Sequence, residues 1–303
     1  MKAAVIDIGT NTFHLIIASL ADGKVEVIYK TNIPVKLGEG RVNENIIIPE
    51  AFKRGLQALS QFKAEIEKQQ VDCIKATATS AVRSAVNGSE FVKAVLAQTG
   101  IAIEVIDGEQ EAQYIFKGVQ ATGVISDTSL IMDIGGGSTE FIICRPDEVL
   151  WKKSYNIGAA RLMQAFFKSD PINETDQSAI REHLSGELTD LKLACESFHP
   201  TVLIGSAGAF ETFAILLQKD LDITNIASTA ISVEGYNGLA AQLLASTHEE
   251  RTQIEGLIPL RVDMIVMAVL LTNYVLEEIR PDKFWLSTYD LKMGVLNSLL
   301  QKI

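Results

Sequence analysis

The chain repeats itself once, and that repeat limits what it can fold into. Residues 5–18 read VIDIGTNTFHLIIA and residues 131–144 read IMDIGGGSTEFIIC. At a shift of 126 residues, Asp7 falls on Asp133, Gly9 on Gly135, Thr12 on Ser138 and His14 on Glu140, and Ile16-Ile17 fall on Ile142-Ile143. Each copy is an apolar run, a tight Asp-Ile-Gly-x-x-Ser/Thr stretch and a second apolar run, which reads as a β-hairpin. Two copies predict two domains built on one plan, and 303 residues are enough to give each its own core.

The pattern that follows each hairpin is also shared. Lys24–Tyr29 and Val149–Tyr155 read as third strands. Pro49 opens a helix with Phe52, Leu56, Leu59 and Ile66 on one face. Strands at Cys73–Thr77 and Ile101–Ile106 alternate with helices at Ser80–Gln98 and Glu109–Gln120. In the second half, helices are predicted at Ala159–Phe167, Glu174–Cys195, Ala209–Leu217, Val233–Ala245 and Val262–Ile279. Strands fall at Thr201–Gly205 and Lys283–Leu286, and a last helix runs from Asp290. Such alternation means an α/β protein. The seam is expected in the Gly/Ser/Thr/Asp stretch Thr122–Ser129, giving domains 1–124 and 125–303. The helix from about residue 290 is the one element that could pack back on the first domain.

Composition removes several function classes. A net charge of −11 and the lack of any Lys/Arg-rich run argue against nucleic acid as a partner. A polyanionic substrate would need cations gathered locally or a metal to screen it. Cys73, Cys144 and Cys195 lie far apart, as do the four histidines, so zinc is not expected and a reducing compartment is. The longest apolar run, Met264–Leu276, contains Thr272, Asn273 and Tyr274 and is too short for a bilayer, so no membrane partner is expected. The first residues lack a signal peptide's layout: Asp7 interrupts the apolar run and no small-residue cleavage site follows. The expected location is the cytoplasm.

The second hairpin turn carries the most chemistry. Gly135–Gly137 remove three Cβ atoms, so several backbone N–H groups can converge on one anion, and Ser138 and Thr139 add hydroxyls. Asp133, at the end of a buried strand, suits a hydrated Mg²⁺, and Glu140 is close enough to the cradle to polarise a water. Metal, anion cradle and carboxylate together suit hydrolytic phosphoryl transfer. A plain hairpin would need glycine only for positive φ, and three glycines with Ser/Thr between two acids exceed that need. The first turn offers Thr10, Asn11 and Thr12 as donors for a second phosphate, or is a hairpin capped by Thr and Asn; His14 stands where Glu140 does. In ATATSAVRSAVN (76–87), Arg83 near a helix N-terminus is either part of a phosphate site or a solvated cation. Glu109 and Glu111 begin a helix, where acids complement its dipole or add to a metal shell. GSAG (205–208) is a strand–glycine–helix turn without a P-loop ending.

Taken together, these residues resemble the exopolyphosphatase/guanosine-pentaphosphatase (Ppx/GppA) family. The resemblance runs through DIGTNTFHLII, KLGEG (36–40), ATSAVR (78–83), DGEQEA (107–112), DIGGGSTEFII, NIGAARL (156–162), GSAG and STYDLKMGVL (287–296). It implies two ribonuclease H-like domains of the actin/sugar kinase/Hsp70 ATPase superfamily with an interdomain cleft. It further implies Glu140 as the base for the attacking water, with Glu111 and Asp133 as further essential acids. Asp133, Glu111 and Asp7 are the implied holders of Mg²⁺ or another divalent cation. Thr10, Asn11, Thr12, Arg83, Gly136, Gly137, Ser138 and Thr139 are the implied phosphate contacts, with Arg161, Arg261 and Lys292 as further cations near the motifs. Lys36 and Lys292 stand where the family often has Arg, and Lys lacks the planar fork. The resemblance is to the short, two-domain form; longer members add C-terminal helical domains. Substrates implied are inorganic polyphosphate and guanosine pentaphosphate (pppGpp), and a homodimer is compatible. Two other readings share the fold: a phosphate or nucleotide sensor without catalysis, and a kinase-type phosphotransferase.

Overall fold

The computed structural model describes residues 1–302. The chain divides into two compact units, one formed by Met1–Gly118 with the residues from Leu291 on, the other by Val119–Asp290.

The first unit begins with β1 (Lys2–Ile8), β2 (Thr12–Ala21) and β3 (Lys24–Pro34), paired antiparallel in turn. Then come α1 (Pro49–Lys68), β4 (Cys73–Ala78), α2 (Ser80–Ser84), α3 (Gly88–Thr99), β5 (Ile103–Val105) and α4 (Gly108–Gln120). The sheet order is β3-β2-β1-β4-β5, with β4 parallel to β1 and β5 parallel to β4. Ala3–Ile6 are wholly buried, as a central strand covered on both faces must be. Phe91 of α3 meets Phe13 of β2 and Phe52 of α1 edge-on, with ring centroids 6.4 and 5.2 Å apart.

The single helix expected over Ser80–Gln98 is two. Asn87 exchanges two hydrogen bonds with the Ile47 backbone, donating to its carbonyl at 2.8 Å and accepting from its N–H at 3.1 Å. That draws Ala85–Asn87 out of helical geometry. Gly88 closes the break, because a Cβ there would lie 2.1 Å from the Val82 carbonyl oxygen.

The second unit starts with β6 (Ser129–Ile134), β7 (Thr139–Arg145), β8 (Glu148–Tyr155), α5 (Ala159–Phe166), α6 (Glu174–Glu187) and α7 (Thr189–Phe198). It continues with β9 (Val202–Ser206), α8 (Gly208–Leu217), β10 (Ser228–Ala230), α9 (Val233–Ala245), α10 (His248–Thr252), α11 (Ile265–Ile279) and β11 (Lys283–Ser287). Its sheet order is β10-β11-β9-β6-β7-β8. Read from β8, three antiparallel strands are followed by parallel β9 and β11, the order of the first sheet with β10 added at the edge. The repeated hairpin therefore marks a repeated sheet. The core centres on Phe210, Phe213, Tyr236 and Phe284, all nearly or wholly buried.

Three sequence expectations change here. The helix predicted over Glu174–Cys195 breaks at Leu188, where the Thr189 hydroxyl turns back to the Ser185 and Gly186 carbonyls. α11 starts at Ile265, because Arg261–Asp263 belong to the preceding turn. β10 and α10 were not anticipated; α10 is five polar residues closed by a Thr247/Glu250 capping box, with no apolar stripe to reveal it.

The last helix, α12 (Leu291–Leu300), belongs to the first unit, where it packs on β1, β2 and β3. Its crossing with α4 is close: a Cβ on Gly294 would lie 1.8 Å from the Tyr114 carbonyl oxygen. Among the described residues no helix is long and apolar enough to cross a membrane. Gly294→Ala should lower stability by about 3 kcal/mol through this backbone clash. Urea denaturation checks it, and an unchanged midpoint would mean that the crossing is not tight.

Candidate active site

In each unit the chemistry-bearing residues emerge where the parallel strands end. In the first, Ile8, Ala78 and Val105 lie side by side in register, so the segments after β1, β4 and β5 leave from one edge. In the second, Met132, Gly205 and Leu286 align likewise. Crevices beyond the carboxyl ends of such strands are the usual place for ligands in open α/β sheets.

The turn after β1 is fastened through its carbonyls. Gly38 N–H donates to the Thr10 carbonyl at 3.0 Å and Lys36 N–H to that of Asn11 at 2.7 Å. Gly38 must be glycine, since a Cβ would lie 2.5 Å from Thr10 Cγ2. Thr10 is buried, while Asn11 and Thr12 are half-buried. Asp7 pairs across the ladder with His14, and Lys292 Nζ lies 4.0 Å from its carboxylate. Asp7 thus has a cationic neighbour, which weakens its case as a metal ligand.

Arg83 and Glu111 come together. The guanidinium donates to Glu111 Oε2 at 2.8 Å and, through the same nitrogen, to the Ile106 carbonyl at 3.0 Å. The residues alone leave both undecided, while the resemblance implies a phosphate contact in Arg83 and an essential acid in Glu111; the structure joins α2 to the first turn of α4 through them.

The glycine turn after β6 is the most organised part. The carbonyls of Gly135 and Gly136 accept from the N–H groups of Ala159 and Ala160 at 2.9 Å each, and that of Gly137 accepts from Arg161 Nε at 2.9 Å. In a trans peptide the following N–H points opposite to the carbonyl. With these carbonyls tied to the start of α5, the N–H groups of Gly136, Gly137 and Ser138 face away from it, the arrangement that an anion cradle requires. Gly158 permits the contact, because a Cβ there would be 2.5 Å from Gly136. Thr139 is different: fully buried, it donates its hydroxyl to the Ile157 carbonyl at 3.2 Å, which makes it a clamp inside the unit.

Asp133 and Glu140 are direct cross-strand partners of β6 and β7. Side chains so placed share a face with Cβ atoms about 5 Å apart, and like charges there repel. A hydroxyl serves each: Ser206 donates to Asp133 at 2.8 Å, and Ser154, opposite on β8, donates to Glu140 at 2.7 Å. Glu140 is only 1% exposed. Arg261 lies over Gly208, its guanidinium nitrogens 3.7 and 3.8 Å from where a Cβ would be. Burial draws its pKa below the ordinary value, while Glu211 and Asp133 act to raise it. Neither Ser206 nor Ser154 was singled out from sequence as a partner of these acids; the GSAG turn was the one signal for the first.

The donors present are oxygens, which suits a hard cation such as Mg²⁺. Among the described residues no three His, Cys, Asp or Glu side chains gather as a ready metal cage. Mg²⁺ is ordinarily held by one or two carboxylates, waters and substrate phosphates, so Asp133 beside Glu140 still fits it.

Residues 16–303 match the Ppx/GppA phosphatase family. The chain is 29% identical to a putative exopolyphosphatase of Haemophilus influenzae over 98% of its own length and 91% of the relative's. It is 28% identical to a guanosine-5′-triphosphate,3′-diphosphate pyrophosphatase of Vibrio vulnificus, covering 99% of this chain but 59% of that protein. The crystal structure of an exopolyphosphatase from Cytophaga hutchinsonii superposes with a TM-score of 0.97 at 38% identity, over 100% of this chain and 99% of the other. That of the Aquifex aeolicus Ppx/GppA family member gives 0.84 at 28%, over 100% and 98%. Both chains share the actin/sugar kinase/Hsp70 ATPase-like fold with this one.

Arg83→Met should lower stability by roughly 3 kcal/mol, because it leaves a buried carboxylate without its cation. Adding Glu111→Gln should restore part of that loss. Chemical denaturation of both variants tests the pair, and additive losses would show no coupling.

Proposed function

The chain belongs to the Ppx/GppA phosphatase family, and from that we propose that it is a phosphohydrolase releasing terminal phosphate from a phosphoanhydride chain. The observation that carries this reading is the pairing of an outward-facing N–H cradle with Glu140 on the very next strand.

In the proposed reaction the terminal phosphate rests on the N–H groups of Gly136, Gly137 and Ser138. Those donors are fixed before substrate arrives, so charge developing on the phosphoryl oxygens meets dipoles that need no reorganisation. Glu140 accepts a proton from the water as the water oxygen bonds to phosphorus. The bridging P–O bond breaks, and the electron pair leaves on the shortened chain. Ser154 holds Glu140 from the side, which fixes the carboxylate's rotation. Thr10, Asn11, Thr12 and Arg83 are the proposed phosphate contacts of the first unit, with Lys292 adding charge there. Glu111 keeps Arg83 in position by their ion pair.

A divalent cation, Mg²⁺ or another, would neutralise phosphate charge as a Lewis acid when bound. Asp133 is the proposed primary ligand, since Ser206 orients it and Glu140 faces it. Glu111 and Asp7 are the further proposed ligands; Glu111 is paired with Arg83 and Asp7 lies 4.0 Å from Lys292 Nζ.

Of the two substrates, inorganic polyphosphate is the first choice. The Haemophilus and Cytophaga relatives named for exopolyphosphatase match this chain along nearly their whole length. The Vibrio guanosine pyrophosphatase extends well beyond the part it shares with this chain. Hydrolysis of pppGpp is the second choice, since its terminal anhydride offers the same bond. Three free cysteines suit a reducing cytosol, the proposed location.

Phosphate release should be measured from medium-chain polyphosphate and from pppGpp with Mg²⁺, for the parent and Glu140→Gln. Loss of a general base predicts a fall of about a thousandfold in kcat. Binding without release by the parent would instead favour the sensor reading, and full activity in the variant would remove Glu140 from its role.

A further inference from the structure

The second unit has a cavity of about 360 Å³ at the opposite end of its sheet from Asp133 and Glu140. It opens where α7 and α11 run out, and Thr201 and Asp282, which line it, immediately precede β9 and β11. Asp282 N–H donates to the Thr201 carbonyl at 2.8 Å, and Thr201 N–H to that of Thr128 at 3.0 Å, so the far wall is fixed backbone. The chemistry lies at the other ends of these strands, roughly 17 Å away for a five-residue strand. The cavity is therefore separate from the phosphate cradle.

Its inner surface is apolar, formed by Leu188, Leu191, Cys195 and Val275. Its rim is charged, and the balance is negative. Glu196, Glu278 and Asp282 outnumber Lys192 and Arg280 by one; Lys192 and Glu278 pair at 3.2 Å, which leaves Glu196 and Asp282 against Arg280. Both helices also present their C-terminal ends. α7 finishes on His199 and α11 on Arg280, each left-handed, and their N–H groups cap Cys195 and Leu276. The helix dipoles add partial negative charge there. The Cys195 thiol is pushed up to about 12, first by burial and then by Glu278 and Glu196. The Lys192 ammonium is raised by Glu278.

We propose that this cavity binds a small organic amine, its hydrocarbon body against Leu191, Cys195 and Val275 and its ammonium toward Glu196, Glu278 and the end of α11. A volume of this size is ample for an aromatic monoamine, and pockets that hold small molecules share the pattern of an apolar body with a few placed charges. A carboxylate of the same shape would meet the acids and both helix ends unfavourably. The site stands independently of the phosphohydrolase reading.

The test is an NMR titration of the full ¹⁵N-labelled chain with 2-phenylethylamine, 3-phenylpropionate and 2-phenylethanol. The amine should give saturable shifts at the amides of Cys195, His199, Thr201 and Arg280, and the carboxylate should bind at least about tenfold more weakly. Glu278→Gln should weaken the amine about fivefold and leave the alcohol unchanged. Val275→Trp should fill the cavity and abolish the shifts; its fold is checked by its spectrum, and Glu278→Gln decides alone if it unfolds. Equal binding of amine and carboxylate, or no saturable shift at these amides, overturns the proposal.

Discussion

Two carboxylates held face to face across a β-ladder set the terms for the rest of the second unit. Asp133 and Glu140 cannot avoid each other, because strand register makes them partners. Their repulsion is a cost that the fold accepts in order to have two acids beside one anion cradle. A serine hydroxyl donates to each, and the buried Arg261 guanidinium acts on Asp133. In the first unit the equivalent pair is Asp7 and His14, and Lys292 stands nearby. One scaffold thus carries an acid beside a histidine in one unit and two facing acids in the other.

The cradle depends on a second constraint, the direction of peptide planes. Glycine alone does not aim an N–H group; something must hold the carbonyl on its other side. α5 does this with its first N–H groups and the Arg161 side chain, and Gly158 lets the two backbones approach. The orphan donors at a helix start, which often bind an anion directly, here bind carbonyls and so set the direction of the N–H groups on the turn's other side.

Much of this could be read from the chain. The hairpins were legible because a strand pair with a short turn is local, and two copies raised a weak signal above chance. The glycine triplet was legible because no ordinary turn requires it. The break at Ala85–Asn87 was not, since it depends on Asn87 reaching Ile47, forty residues away in sequence. Ser206 and Ser154 escaped for a similar reason: a serine becomes the partner of a particular acid only through strand register. Arg83 and Glu111 carried one meaning apart and acquired another when α2 and α4 met. Thr139 shows the reverse case, a residue chosen for its hydroxyl whose hydroxyl is turned inward to Ile157.

The return of α12 to the first unit has a consequence for how the chain is made. The second unit is contiguous, whereas the first contains residues on both sides of it in sequence, α12 among them. On the ribosome, where domains generally fold in the order in which they emerge, the first sheet must wait with the face that α12 covers still exposed. The second unit has all its residues before the first does. α12 is made after every residue of the second unit, so a chain stalled just short of it would hold one finished unit and one open sheet.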